Sequence, residues 1–173
     1  MQRIMLVDDD FGVLSSLRRC LQQMPTKPAD GGLRLEIFEQ PELALNRAQE
    51  CEFDLVIADW RMPVMDGLAF LTRLLPLQPS IARLIMSADD RFRQQAESMR
   101  QLKIFHFVSK PWRPEILQAL VRLALDSRPA TRTPFRPQRR PVDVQFQQFA
   151  PDAPLSPPFA PPFRLRGLDG RPM

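Results

Sequence analysis

Short unbroken apolar runs recur along the chain at Ile4–Val7, Leu55–Ala58, Leu84–Met86 and Ile104–Val108. A run of this length without polar alternation reads as a strand buried on both faces, as in a parallel sheet covered by helices. Between the runs the apolar spacing changes to threes and fours. Leu14, Leu17, Leu21 and Met24 follow it, as do Leu68, Leu71 and Leu75, and so do Ile116, Leu120 and Leu123 with Leu117, Val121 and Ala124 beside them. Each set marks one face of an amphipathic helix. Leu33, Leu35 and Ile37 alternate instead with Arg34 and Glu36, the period of a strand that keeps one polar face, as at a sheet edge. Over 89–101 only Phe92, Ala96 and Met99 form an apolar stripe, so a helix there is expected to be loosely held. Pro25 to Gly32 reads as a surface loop. Strands alternating with helices need right-handed crossovers, so residues 1–126 are expected to form five β/α units, an α/β doubly wound domain around a parallel sheet.

Composition divides the chain. Of its 173 residues and 19 prolines, the last 47 residues hold eleven prolines, and eight arginines against three aspartates. That segment is therefore +5 and, with the whole at +4, residues 1–126 are −1. A boundary near Ser127 separates the domain from a Pro/Arg-rich tail, 127–173, expected to be disordered. Pro154 to Phe163 favours polyproline conformation, and Val142, Val144 and Phe146 alternate as in a strand added to a partner. The tail is too short and too proline-rich for a helix-turn-helix or a catalytic core. Its charge is too dispersed for a strong nucleic-acid signal. Cys20 and Cys51 fall in helical patterns without the spacing of a disulfide framework or zinc site. No run approaches the roughly 18 apolar residues of a membrane span, and the N-terminal run is too short for a signal peptide. A soluble cytoplasmic protein is expected.

In an open parallel sheet all strands end at one rim, where ligands bind. Val7-Asp8-Asp9-Asp10, Asp59 with Arg61-Met62-Pro63 and Asp66-Gly67, Ser87, and Lys110-Pro111-Trp112 each follow one of the apolar runs. Carboxylates, a hydroxyl and an ammonium would converge there, a set able to hold a divalent cation and a phosphoryl group. Plainer readings exist: Asp59 as the start of a turn, Asp10 as a helix cap, Ser87 as an ordinary strand-end hydroxyl and Lys110 as a surface lysine.

Together these motifs resemble the response-regulator receiver domain of two-component signalling, across all of residues 1–126. Asp-x-x-Met-Pro-x-Met-Asp-Gly from Asp59 and Lys-Pro at Lys110 are the specific parts. The resemblance implies a flavodoxin-like (βα)5 sheet of order 2-1-3-4-5 and a cis Lys110–Pro111 bond. A carboxylate can attack phosphorus if the incoming charge is neutralised, which gives Asp59 the role of phosphoacceptor. Mg²⁺ needs few protein oxygens. Asp9, Asp59 and the backbone carbonyl of Arg61 are the expected ligands, with Asp8 acting through a water. Lys110 and Ser87 would hold further phosphoryl oxygens. The resemblance further implies a switch built from Ser87 and Phe107, and an influence of Arg61 on how long the phosphoryl group survives. His106, the only histidine, lies in a strand and is read as an ordinary side chain, so the donor histidine would come from a sensor kinase or phosphotransfer protein. A downstream protein is expected on the 89–126 face or the tail. The alternatives are an unphosphorylated adaptor of the same fold and a nucleic-acid-binding regulator acting through the tail.

Overall fold

The computed structural model describes residues 1–25, 31–88, 100–127 and 137, all within the compact unit Met1–Arg140. The loosely held helix expected over 89–101 lies outside the described residues except for Arg100 and Gln101, and so does all of the tail except Ser127 and Pro137. The described elements are β1 (Gln2–Val7), α1 (Phe11–Gln22), β2 (Leu33–Phe38), α2 (Pro41–Glu50), β3 (Leu55–Asp59), α3 (Gly67–Leu77), β4 (Ala82–Ser87), β5 (His106–Ser109) and α4 (Pro114–Asp126). The sheet is parallel with the order β2-β1-β3-β4-β5, a flavodoxin-like doubly wound arrangement. Among the described residues no helix is long and apolar enough to cross a membrane.

Side chains alternate between two cores. Ile4, Leu6, Leu55, Ile57, Leu84 and Met86 pack under α1 and α4, while Met5, Val7, Val56, Ala58 and Ile85 pack under α2 and α3. Every residue of β3 is buried, as expected of the middle strand of a sheet covered on both faces. Three sequence expectations shift. The apolar run from Ile104 yields a strand only from His106, because the chain first turns at Leu102 and Lys103, the latter in the left-handed region (φ 50°). Conversely, β4 starts before its apolar run and includes Arg83. On α4 the buried stripe is Leu117, Val121, Ala124 and Leu125, while Ile116 and Leu123 are 50% and 56% exposed.

The amino ends of the strands are tied by a polar hub that periodicity does not reveal. Buried Gln78 accepts from the Phe53 N–H (2.8 Å) and donates through Nε2 to the carbonyls of Ala48 (2.8 Å) and Cys51 (2.7 Å). It therefore joins the end of α2 and the entry to β3 to the C-terminal end of α3. Arg83, 2% exposed, donates through Nη2 to the Gln78 carbonyl at 2.9 Å. Burial lowers its pKa to about 10, which still leaves it cationic near neutrality, and among the described residues no carboxylate pairs with it.

At the sheet edge Glu36 on β2 is surrounded by cations: Arg47 Nε at 2.8 Å, Arg34 Nε at 3.2 Å and Arg3 Nη1 at 3.7 Å. Burial alone would raise its pKa, but the hydrogen bonds from Arg47 and the charges of Arg47, Arg3 and Arg34 outweigh that and hold it below the ordinary 4.5. A carboxyl whose pKa is lower folded than unfolded adds stability above the unfolded value and loses it as pH falls through the folded one. Glu36→Gln should therefore lower stability near pH 7 and flatten the loss of stability below about pH 4.5. Urea denaturation at several pH values checks this, and an acid limb unchanged from wild type would refute it.

Candidate functional site

Sheet order reverses between β1 and β3, and the residues that end these strands lie beside one another at the carboxyl rim. Asp8 follows β1 and Asp59 ends β3, and both are buried, at 2% and 6% exposure. The two are held in the same way. Asp8 Oδ1 accepts from the Asp10 N–H at 3.0 Å, and Asp59 Oδ2 accepts from the Arg61 N–H at 2.8 Å, each a turn in which the side chain bonds two residues onward. The remaining oxygens, Asp8 Oδ2 and Asp59 Oδ1, lie 2.6 Å and 2.5 Å from Lys110 Nζ. Lys110 follows β5, so its stem reaches past the end of β4 to β3 and β1. At about 4.8 Å per strand, such a span needs a long, flexible side chain. The Lys110–Pro111 peptide is cis.

This is a partly buried ionic triad. Burial raises the Asp8 pKa, against opposing contributions from the Lys110 and Asp10 hydrogen bonds. Burial would depress Lys110, but its hydrogen bonds to Asp59 and Asp8 outweigh that and push it up. Removing the ammonium would leave two desolvated carboxylates facing each other, a situation that typically costs about 3–5 kcal/mol when a buried pair is broken.

The other expected site residues fall as follows. Ser87 ends β4 and is 3% exposed. Ile85 pairs with Phe107 and Ser87 with Ser109, so the alternation of a strand puts Ser87 and half-buried Phe107 on one face of neighbouring strands. Asp9 is exposed at the rim, and Arg61 is exposed beyond Asp59. Asp10 takes the capping role: its Oδ1 accepts from the N–H groups of Gly12 (2.7 Å) and Val13 (3.3 Å) at the start of α1. Asp66 caps α3 similarly through the Ala69 N–H at 2.7 Å. Trp112 packs against the core beneath α1 and α4, and exposed His106 lies away from the triad on β5. Both cysteines are free thiols, and burial raises the pKa of Cys20.

Among the described residues no three carboxylate, histidine or cysteine side chains are gathered into a metal cage. The donors present are nonetheless hard oxygens, two buried carboxylates with a third at the rim. Mg²⁺ commonly binds through one or two carboxylates and keeps several waters, so the set fits that ion.

The loop from Asp59 to α3 is stapled to the core by Met62 and Met65, 8% and 6% exposed. Between them Val64 points into solvent at 97% exposure with φ 69°. A β-branched residue in the left-handed region is strained by roughly 1–2 kcal/mol, whereas Asn tolerates it.

Comparison with known proteins gives a consistent picture. The model of the response regulator receiver domain family matches residues 4–122. The transcriptional regulatory protein FlgR of Helicobacter pylori is 33% identical over 115 residues, 66% of this chain and 27% of FlgR. The DNA-binding transcriptional regulator NtrC of Escherichia coli is 31% identical over 148 residues, 84% of this chain and 28% of NtrC. This chain thus spans about a quarter of the length of such relatives. Among solved structures, the signal receiver domain of an HD domain-containing protein from Pseudomonas fluorescens superposes with a TM-score of 0.63 at 29% identity, covering 72% of this chain and 87% of that one.

Val64→Asn should stabilise the protein by about 1 kcal/mol by relieving the left-handed strain. Urea denaturation measures it, and equal or lower stability would contradict the assignment of strain.

Proposed function

This chain belongs to the response regulator receiver domain family of two-component signalling, and we propose that Asp59 is its phosphoacceptor. The observation that carries this reading is the triad itself. A carboxylate at the end of the central strand lies 2.5 Å from a lysine ammonium that also holds a second buried carboxylate. The donor in this reading is a phosphohistidine on a sensor kinase or phosphotransfer protein in the cytoplasm. An Asp59 oxygen bonds to phosphorus as the P–N bond breaks, the electron pair stays with the imidazole, and an acyl phosphate forms.

The residues divide the work. Lys110 is a compact point charge already in contact with an Asp59 oxygen, placed to neutralise a phosphoryl oxygen. Ser87 supplies a hydroxyl from the next strand. Mg²⁺, when bound, neutralises phosphoryl charge. Its proposed ligands are Asp59, Asp9 and the Arg61 carbonyl, with Asp8 reached through a water. Asp8, whose oxygens accept from the Asp10 N–H and from Lys110, is the outer member of the set in this reading. In this reading the chain signals by changing shape rather than by turning over a substrate.

The change is read by a protein partner. In this reading the switch is built from Ser87 and Phe107, which share one face of the neighbouring strands β4 and β5, and the exposed Ile116 and Leu123 of α4 offer an apolar contact. We propose the receiver as residues 1–126, with the tail after Ser127 as a second place where a partner binds. Two alleles test the acceptor with Mg²⁺ and acetyl phosphate. Asp59→Asn should abolish labelling, and Lys110→Met should slow it by about 10²-fold or more. Persistent labelling of Asp59→Asn would overturn the assignment.

Arg61 stands two residues after the acceptor, with its side chain exposed at the rim. We propose that it sets the lifetime of the acyl phosphate by controlling the approach of water. Arg61→Ala should change the dephosphorylation rate of the isolated phosphoprotein, and an unchanged rate would remove this role.

A further inference from the structure

We propose that Gly67 is a positioning residue for the acceptor carboxylate, an inference that rests on reading Asp59 as the phosphoacceptor. Gly67 is the first residue of α3. A Cβ at this position would lie 2.3 Å from the Asp59 carbonyl oxygen, 3.1 Å from its carbonyl carbon and 3.2 Å from Trp60 Cα. The positive-φ glycines among the described residues are Gly31 and Gly32, so it is close approach, and not a left-handed backbone, that requires glycine at 67.

Neither partner in this contact can yield easily. The acceptor's backbone belongs to the fully buried β3, where Asp59 is in register with Met86 and the Trp60 N–H donates to the Met86 carbonyl at 2.7 Å. On the other side α3 is fixed by the fully buried Phe70, Leu71 and Leu74, and by the Asp66 cap. With no side chain between them, the helix starts directly against the acceptor's own peptide. The Gly67 N–H then donates to the Trp60 carbonyl at 2.9 Å and closes the intervening loop into a ring.

Arg61 lies inside that ring, and its N–H is the group that orients Asp59 Oδ2. The width of the ring therefore sets the aim of the carboxylate. To accept even one methyl group, the Gly67-to-carbonyl separation must grow by about 1 Å to reach ordinary van der Waals contact, and a misplacement of that size at a reacting group can cost about 10²-fold in rate. A residue needed only for stability would behave differently: its substitution would lower the folded fraction, while each folded molecule reacted at the normal rate.

The full chain carrying Gly67→Ala separates these roles. With Mg²⁺ and saturating acetyl phosphate, the rate of acyl phosphate formation per folded molecule should fall by about tenfold or more, with the half-saturating donor concentration unchanged. Hydrogen exchange at the Arg61 amide should speed up by about tenfold or more, with the amides of β1 and β3 unchanged. A normal rate together with normal Arg61 exchange would overturn the proposal. If Gly67→Ala does not fold, exchange in the wild type decides. The Arg61 and Gly67 amides should be protected like those of β3, and loop-like exchange would refute the ring. Labelling that survives in Asp59→Asn would remove the acceptor reading, while the exchange measurements would still judge Gly67.

Discussion

One ammonium group holds together two buried carboxylates at the ends of neighbouring strands. Each of them gives one oxygen to the peptide N–H two residues onward and the other to Lys110. Without that cation only the two peptide N–H bonds would offset the desolvation of Asp8 and Asp59, and their mutual repulsion would act at the point where β1 and β3 meet. Much of the architecture serves this contact. A parallel sheet covered on both faces brings every strand end to one rim, the order reversal sets β1 beside β3, and β5 delivers a side chain long enough to reach past β4.

The opposite end of the sheet is built on another principle. There the stitching is made by neutral amide groups and by a guanidinium that donates to carbonyls, with Gln78 holding three backbone groups from α2 and the entry to β3. The Gln78 amide is buried with its donor and acceptor groups engaged, so these hydrogen bonds are costly to break. One rim of the domain is thus fastened by buried amide and guanidinium groups, while the other keeps ionic groups within reach of solvent.

Most of this was legible in the chain for simple reasons. Short continuous apolar runs alternating with helical spacing fit strands of a covered sheet, which puts carboxylates directly after such runs at its rim. The edge character of β2 followed from the alternation of Leu33, Leu35 and Ile37 with Arg34 and Glu36. Periodicity was weaker where two apolar stripes run side by side: on α4 the choice between Ile116, Leu120, Leu123 and Leu117, Val121, Ala124 depends on which face the sheet presents, and the second set is the buried one. Arg83 hid the true start of β4, since a charged residue inside a strand argues against burial until its carbonyl partners are known. At the site, Asp59 makes the plain turn through Oδ2, which accepts from the Arg61 N–H, while Oδ1 faces the Lys110 ammonium. The common anchoring of Asp8 and Asp59 and the close approach at Gly67 depend on distances that no spacing rule encodes.

The two tryptophans occupy informative places. Trp60 directly follows Asp59, Trp112 directly follows Pro111, and the chain contains no tyrosine. Both indoles are half-buried within two residues of a member of the ionic triad. All of the protein's fluorescence excited at the red edge of its ultraviolet absorption therefore originates beside the site. The fold carries its own optical probe of whatever occupies the rim, with no label to disturb the charges there.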